Sequence, residues 1–329
     1  MARFYGRSGC TALLVQGLRG YGIQNVHTLE DVQQFRKNFN QIVYDIINNA
    51  KIWLSDEITS LKNIQAQFIE EMKAKISLRR TDLLYEKEQL LERINSESLS
   101  KKPKRLKVLE AKFDKILEKP FKKDKKQIKK TGKKFGKLEI KYDKIIAKRI
   151  KKPVRQMNKS KSFLDNKSSF LLGAIGEERV IRELVKLPDS YMVFNDVNLS
   201  FSKSIRWKKY NEYVKSCQID HVVIGPNGIF LIETKNWSPA TLATTRFLPH
   251  KQVDRAGYIF FIKFINLFRR LNKKIPIRGI VVTLRNLPKY NYPYVEQLTP
   301  NRLNSYILGF RDFLTMDEVE MITNWLMRS

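Results

Sequence analysis

The chain has 329 residues and a formal net charge of +30, with 63 Lys and Arg against 33 Asp and Glu. This length is sufficient for two domains, and the charge favours a polyanionic partner, nucleic acid first and an anionic membrane surface second. Two cysteines and three histidines exclude a disulfide framework and a Cys/His metal site, and they favour a reducing compartment, expected to be the cytoplasm. No run of about 18 apolar residues is present, so we expect no membrane span.

The N-terminal residues 1–27 are the first segment to place. The first 29 residues contain no acid and carry Arg3, Arg7 and Arg19, a composition that raises the question of a targeting peptide. The apolar run TALLV is too short for the core of a secretory signal. We therefore predict an untargeted, poorly ordered tail over residues 1–27.

A helical pattern follows, and we predict a long helical or coiled-coil region over residues 28–100. Thr28 offers an N-cap and is followed by acids in the first turn. The apolar residues that recur at steps of three and four are Leu54, Ile58, Leu61, Ile64, Phe68, Met72 and Ile76. No Gly or Pro interrupts the pattern, which is typical of a long antiparallel hairpin or a coiled coil. We expect a scaffold element or a homodimerisation element here, without chemistry.

Residues 101–167 are predicted to be a lysine-rich helical segment and linker. They contain 27 Lys and Arg against 7 Asp and Glu, a net charge of +20. Lysines at this density can neutralise backbone phosphates without reading bases, although a charge run is also typical of a solvated linker. The sequence leaves both interpretations open. Docking to a membrane surface is a weaker alternative, because the segment has little of the aromatic and leucine-rich face that interfacial helices use.

Two buried strands around a tight turn are predicted next, and they contain unexpected charges. The turn sequence GPNG separates two apolar runs. If Pro226 and Asn227 are the central turn residues, Asp220 lies opposite Glu233, and if the turn is centred one residue later it lies opposite Lys235. Because side chains alternate along a strand, all three charged residues share one face in either register.

These three charges have two explanations. Carboxylates that face each other across a strand pair repel, and a hard divalent cation such as Mg²⁺ or Mn²⁺ between them would remove the repulsion. A lysine on the same face could hold a water or stabilise developing negative charge. The alternative is an Asp–Lys or Glu–Lys ion pair at the edge of the sheet.

The spacing between these residues favours the first explanation. Asp220 followed after twelve residues by Glu233-Thr234-Lys235 is the D…(D/E)-x-K pattern of the PD-(D/E)XK nuclease superfamily. The surrounding motifs are G-x-x-G-E from Gly173 to Glu177, I-D-H from Ile219, G-x-x-G-I-F from Gly225, and I-E-T-K-N-W from Ile232. With these motifs, the chain from about Phe170 to its end resembles the nuclease-related domain family, NERD. The superfamily's usual proline before the first acid is replaced by Ile219.

The resemblance implies an α/β fold for residues 168–329, a restriction-endonuclease-like mixed sheet flanked by helices and preceded by the long helical region. It implies that Asp220 and Glu233 are ligands of Mg²⁺ or Mn²⁺, with a backbone carbonyl near Thr234 as a third ligand. The catalytic residues that it implies are Glu177, Asp220, Glu233, Lys235 and Gln252. Taken locally, Glu177 is equally well explained as a first-turn acid of a helix, and Gln252 as a solvent-exposed residue at a helix start.

Three further features near the pattern have ordinary interpretations. We expect His221 to point away from Asp220 and to be packed or to lie at the rim of the site. Trp237 is expected to close the end of its strand, and base stacking is the alternative. The basic, aromatic segment 200–213 is expected to be a hairpin loop near the site that touches substrate.

Together these features predict a metal-dependent nuclease, an enzyme that hydrolyses phosphodiester bonds in nucleic acid, DNA more than RNA. The alternative is a catalytically inactive nucleic-acid-binding or scaffold protein that retains a nuclease-like fold. The sequence contains no G-x-x-x-x-G-K-[ST] loop for ATP, so any translocase would be a separate partner.

Overall fold

A computed structural model describes residues 1–96, 102–237, 249–285 and 292–328. The chain divides into two compact units, one formed by residues 1–39 and 158–329 and the other by residues 40–157. The boundary predicted after residue 100, between the long helical region and the lysine-rich segment, lies outside the described residues. No described helix has the length and apolar character needed to cross a membrane.

The elements follow one another in a simple order. The helices are α1 (Gly9–Gly20), α2 (Leu29–Ser96), α3 (Lys104–Glu118), α4 (Lys122–Ile140), α5 (Tyr142–Asn166), α6 (Ser168–Leu184), α7 (Pro249–Arg270), α8 (Pro300–Leu308) and α9 (Met316–Met327). The strands are β1 (Arg3–Tyr5), β2 (Met192–Trp207), β3 (Glu212–Gly225), β4 (Gly228–Lys235), β5 (Ile277–Thr283) and β6 (Val295–Leu298).

Among the described residues, the strands form one mixed sheet of six in the order β1-β2-β3-β4-β5-β6. Strands β2, β3 and β4 are antiparallel neighbours, whereas β1 pairs in parallel with β2, and β4, β5 and β6 are parallel. The parallel pairs need crossover connections, and α7 supplies the one between β4 and β5. The centre of β4 is buried on both faces, as parallel neighbours require.

Helices cover both faces of this sheet, and each face has its own apolar core. One core packs residues of α7 and α9 against the sheet, including Phe264 and Ile322. The other packs residues of α6 and α8, including Val180 and Leu303. Two helix layers around a mixed sheet make this unit an α/β fold of the nuclease-like kind, which confirms the expected fold class.

The N-terminal residues are not the poorly ordered tail that we expected. Residues 3–5 form β1 on the edge of β2, and α1 buries Leu14, Val15 and Leu18. Ser8 caps α1 and accepts a hydrogen bond from the Thr11 N–H at 3.3 Å. A strand of three residues has no measurable periodicity, and its pairing partner lies almost 190 residues away, so the local sequence carried little signal of this order.

The second unit is an antiparallel helical hairpin. Its outgoing arm is the part of α2 after residue 39, and its returning arm is formed by α3, α4 and the first part of α5. Leu54 and Ile58 on the outgoing arm pack with Ile146 near the end of the returning arm. Leu83, later on the outgoing arm, packs with Leu109 near the start of the returning arm. Much of the apolar stripe of α2 is therefore covered by the lysine-rich segment of the same chain, although Ile64 stays exposed.

The two arms of the hairpin differ sharply in charge. Residues 40–96 carry 8 Lys and Arg against 9 Asp and Glu, whereas residues 102–157 carry 23 against 6. Ion pairs between the arms, such as Lys62 with Glu139 and Glu86 with Arg105, bind only a few of these groups. The net charge of +17 on the returning arm is therefore carried by cations in excess of local acids.

Many of these cations form one line, which we call the lysine row. Its members recur at steps of three or four and are all exposed: Lys119, Lys122, Lys126, Lys130, Lys133, Lys137, Lys141, Lys144, Lys148, Lys151 and Arg155. Phe135 and Ile146 face the outgoing arm. Lys137 lies two positions after Phe135, and Lys148 lies two positions after Ile146, a separation that corresponds to a rotation of about 200° on a helix. At these two positions the row therefore faces away from the outgoing arm.

Candidate functional site

The β3–β4 hairpin sets the geometry of the site. Gly225 pairs with Gly228 and His221 with Ile232, so Pro226 and Asn227 are the central turn residues. Gly228 has φ of +123°, a conformation that L residues with a side chain rarely adopt. This is the first of the two registers considered from the sequence, and it places Asp220 opposite Glu233 at the end of the ladder.

The three charged residues of the hairpin line one cavity of about 770 Å³. An Asp220 carboxylate oxygen accepts a hydrogen bond from the Thr234 N–H at 2.7 Å. Glu233 forms an ion pair with Lys235, and the side chains of both are largely buried. The ion pair that we considered as the ordinary explanation is therefore present, but it accounts for only one of the two carboxylates.

Asp220 and Glu233 share an unfavourable environment as anions. Burial, followed by the negative charges of Glu233 and Glu177, raises the pKa of Asp220 well above its usual range. Burial also raises the pKa of Glu233, although Lys235 and Gln252 favour its charged form. Because both pKa values are raised, the anionic form of each carboxylate is disfavoured, and a nearby cation would stabilise it.

Glu177 comes from α6, and two glycines let that helix approach closely. A Cβ at Gly176 would lie 3.3 Å from the Thr234 side chain, and one at Gly173 would lie 2.9 Å from the Cys10 sulfur. The side chain of Asn236, just after β4, donates to the Leu172 carbonyl oxygen at 2.9 Å. The spacing G-x-x-G-E thus brings the Glu177 carboxylate to the same cavity as the hairpin.

The remaining expected residues also lie at this cavity. Gln252, in the first turn of α7, lines it, and its side chain hydrogen-bonds to Glu233. Trp237 lines it as well, with the Lys235 ammonium 5.7 Å from the centre of its ring. The residues that we expected to be catalytic, Glu177, Asp220, Glu233, Lys235 and Gln252, are therefore brought together around one cavity, as is Thr234.

Several polar residues at the site were missed from the sequence, and three of them contact the acids or change the shape of the cavity. Asp196 lines the cavity with φ of +55°, and its carboxylate accepts from the Gln218 side chain at 2.6 Å. Cys10 also lines the cavity, and burial, followed by the charge of Glu177, raises the pKa of its thiol. A raised pKa disfavours the thiolate, the form in which a cysteine acts as a nucleophile. The third is Ser8, whose hydroxyl donates to Glu177.

Two nearby features have no direct place at the cavity. His221 is fully buried, and its Nδ1 lies 2.8 Å from the Asn195 side-chain oxygen. Residues 200–213 are not a loop beside the site, because β2 continues to Trp207 and only a short helical turn, Lys208–Tyr210, joins it to β3. Trp207 lines a different cavity of about 760 Å³. The expectation of a loop was wrong because most of this segment belongs to the paired strands β2 and β3, and strand pairing outweighs its polar composition.

The donor chemistry of the cavity suits a hard divalent cation. Within the described ranges, no cluster of three or more His, Cys, Asp and Glu side chains forms a ready-made metal cage. Magnesium sites do not require one, because Mg²⁺ is held by one or two carboxylates and keeps several waters or substrate phosphates. The half-buried Asp220 and the buried Glu233, with the carbonyl of Thr234 beside them, fit this pattern in kind and number.

This combination defines a class, a nuclease-like α/β domain with acids and a lysine at the end of a hairpin. Residues 172–284 match the family model described as Nuclease-related domain, NERD, so the chain contains a nuclease-related domain over about a third of its length. This match confirms the resemblance found in the sequence, and it includes all five residues that we expected to be catalytic. Residues 1–171 and the last 45 residues lie outside it.

A curated relative provides little functional information. An uncharacterized protein of Bacillus anthracis is 42% identical over 66 residues, which cover 20% of this chain and 26% of the relative. The chain thus matches only about a quarter of the relative's length. No solved structure matches the chain significantly.

Proposed function

We propose that this protein is a metal-dependent nuclease that hydrolyses phosphodiester bonds in nucleic acid, with DNA favoured over RNA. The observation that carries the proposal is the pair of carboxylates, half-buried Asp220 and buried Glu233, beside Lys235 at one cavity of a nuclease-related domain. Carboxylates with raised pKa values are unfavourable as anions without a cation, and the described side chains at the cavity supply one ammonium against several acids.

Each residue has a distinct part in this proposal. Asp220 and Glu233, with the Thr234 carbonyl, hold Mg²⁺ or Mn²⁺, and Gln252 keeps Glu233 oriented through their hydrogen bond. When bound, such a cation lowers the pKa of water and neutralises charge on the scissile phosphate. The Lys235 ammonium faces the same cavity and stabilises charge that develops on the phosphate. Glu177 contributes a further acceptor for the cation or its water.

The lysine row gives this enzyme a surface for polyanions. Eleven exposed cations on one face of the returning arm can neutralise a series of phosphates without contacting bases. We propose that this surface supplies sequence-independent affinity, while the cavity supplies the chemistry. The proposed compartment is the cytoplasm, where both free cysteines, Cys10 and Cys217, would stay reduced.

A homodimer through the helical region stays a prediction. The hairpin uses Leu54, Ile58 and Leu83 of α2 within one chain, so a dimer would need a different surface. Tyr44, Leu78 and Leu84 are exposed on α2, but nothing among the described residues indicates what would cover them.

An inactive binder is the second candidate, and one observation favours it. Lys235 is paired with Glu233, which satisfies part of the acidic site without a cation. The two candidates separate when purified protein is incubated with labelled single- and double-stranded DNA and RNA in Mg²⁺, Mn²⁺ and EDTA. Cleavage that requires metal supports the nuclease, whereas tight binding without cleavage in any metal supports the binder.

A further inference from the structure

The N-terminal segment is built into the candidate site although it lies outside the family match. Five of its residues line the cavity: Gly9, Cys10, Ala12, Leu13 and Gln16. They come from α1, the helix that follows β1. The family motifs therefore describe only part of the wall that encloses the acids.

Pairing with the sheet fixes where this segment enters the cavity. The Arg3 N–H donates to the Tyr191 carbonyl oxygen at 3.0 Å, and β1 continues in parallel with β2. Gly6 then turns the chain with φ of +76°, and a Cβ there would lie 2.8 Å from the Asn195 carbonyl oxygen. Only a glycine fits this turn, which directs the start of α1 toward the acids.

Ser8 connects the segment to Glu177 directly. Its hydroxyl donates to Glu177 Oε2, and the Cys10 N–H donates to the same oxygen at 3.3 Å. Ser8 and Glu177 are 4% and 6% exposed, so this contact is shielded from water. Hydrogen bonds to a buried carboxylate are stronger than those between neutral groups.

This contact is more than a helix cap. An N-cap hydroxyl needs only to accept from the first turn, and Ser8 does this with Thr11. The single Ser8 proton has two acceptors within reach, the Thr11 hydroxyl at 3.1 Å and Glu177 Oε2 on another helix, 169 residues away in sequence, and the charged carboxylate is the stronger acceptor. The first turn of α1 contains no acid of its own. Glu177 of α6 therefore supplies the negative charge at the positive, N-terminal end of this helix.

We propose that Ser8 is a positioning residue that, together with the Cys10 N–H, fixes Glu177 at the metal-binding site. The Ser8 hydroxyl and the Cys10 N–H both donate to Glu177 Oε2, and the Cys10 thiol also hydrogen-bonds to this carboxylate, so α1 orients it at the cavity that Asp220 and Glu233 line. The N-terminal segment is then part of the active site, not an appendage to it. The inference rests on the proposed function for its cation.

The test compares Ser8→Ala and Ser8→Thr in the full chain, with Mn²⁺ affinity measured by calorimetry. Removing a group that orients a metal ligand typically weakens metal affinity by about 10–100-fold. We expect a loss of this size in Ser8→Ala and recovery in Ser8→Thr, which restores the hydroxyl. If Ser8→Ala does not fold, Ser8→Gly replaces it, because glycine at an N-cap costs only a few tenths of a kcal/mol.

Two controls distinguish positioning from simple stability. Thr315→Ala removes the N-cap of α9, whose residues do not line the cavity, and it should leave Mn²⁺ affinity unchanged. In a Glu177→Gln background, Ser8→Ala should weaken Mn²⁺ binding less than it does in the wild type, because its partner is already changed. Equal losses in both backgrounds, or an equal loss in Thr315→Ala, would overturn the proposal.

The remaining outcomes are also decisive. Wild-type affinity in Ser8→Ala, or no Mn²⁺ binding by the wild type at this site, overturns the role of Ser8. Where the wild type cleaves, kcat should fall in Ser8→Ala with little change in KM, and it should return in Ser8→Thr. If Mn²⁺ affinity depends on Ser8 but no substrate is cleaved, the positioning role is supported and only the proposed nuclease activity is overturned.

Discussion

The two compact units differ in the solvent exposure of their charged side chains. In the α/β unit, Asp220 and Glu233 lie together at one cavity, and their desolvation there raises the pKa of both carboxyls. In the helical unit, the lysine row is exposed along one face of the returning arm, and each cation is solvated. Both arrangements would suit a nucleic acid, but they would do so through different physical effects.

The difference indicates which property each unit contributes. A buried charge is costly, so its position is fixed by specific partners, and a single substitution changes its behaviour strongly. An exposed charge contributes through long-range attraction that salt screens, and several must be removed together before the effect is large. We therefore expect single changes to alter chemistry in the first unit and grouped changes to alter affinity in the second.

The largest expected effect is on cleavage. Lys235→Ala should reduce kcat by on the order of 10²–10³-fold with little effect on binding, because its ammonium acts mainly on charge that develops in the transition state. Asp220→Asn should also stop cleavage by weakening the cation, and excess Mn²⁺ should restore a little activity. Cleavage time courses with matched binding curves measure both variants.

The control for these variants is Lys186→Ala, which removes an exposed lysine that pairs only with Glu183 in the described contacts. It should cut like the wild type. If Lys235→Ala also cuts at the wild-type rate, the activity belongs to another site or to a contaminant, and the contrast between the units fails.

The second effect is on nucleic-acid affinity. Replacing Lys130, Lys133 and Lys137 together by glutamine should weaken binding and lower the slope of log K against log salt by about 2 to 3, since each phosphate contact contributes about 0.9. The kcat on saturating substrate should not change. Substitution is preferable to deletion of the returning arm, because deletion would expose Leu54 and Ile58 on the outgoing arm.

A matched triple change on the outgoing arm sharpens this prediction. Lys51, Lys73 and Lys75 are also exposed, but they lie on an arm with nearly balanced charge. Their replacement by glutamine should change the salt slope much less. Equal slopes for the two triple variants would mean that only total charge matters and that the lysine row is not a binding surface.

The third effect is acid sensitivity of the α/β unit. Burial lowers the pKa of His221 to about 3, below its unfolded value of about 6.5. The unfolded chain therefore takes up a proton first, and stability falls as pH drops from about 6.5 toward 3. The loss is up to about 5 kcal/mol at pH 3, at 1.4 kcal/mol per pKa unit.

Denaturant unfolding curves between pH 3 and 7 test this effect. His221→Asn should lack this part of the acid-induced loss, while His27→Asn, at an exposed histidine, should retain it. The lysine-row variant should also retain it, since its charges are solvated. Identical pH profiles for wild type and His221→Asn would show that His221 is not held neutral.

The smallest effect is a pH dependence of stability that is opposite in sign to the one from His221. Asp220 and Glu233 have raised pKa values in the folded chain. Their contribution to the free energy of unfolding is therefore fully present below their unfolded pKa near 4 and is lost as pH rises. In EDTA at pH 8, Asp220→Asn should therefore have a Tm a few degrees above that of the wild type. In Mn²⁺ the wild type should have the higher Tm. Thermal unfolding with and without Mn²⁺ measures this, and a lower Tm of Asp220→Asn in EDTA would contradict it.

The sequence alone predicted those parts of the molecule whose cause is local. The turn at Pro226 and Asn227 and the alternation of its strands brought Asp220, Glu233 and Lys235 to one face, and linked motifs indicated the nuclease-related domain. The helix that begins after Thr28 was evident from its apolar period and its cap, in which the Asp31 N–H donates to the Thr28 hydroxyl at 3.2 Å. These features depend on residues a few positions apart, where geometry follows directly from backbone periodicity.

Only the tertiary structure decided which distant segments complete each unit. It placed the lysine-rich segment against α2, and it placed Ser8 against Glu177 across 169 residues of sequence. It also gave Asp196 its left-handed backbone and its place at the cavity. A three-residue strand, a single hydroxyl and one unusual φ angle leave no periodic signal, because their positions are set by contacts with partners far along the chain.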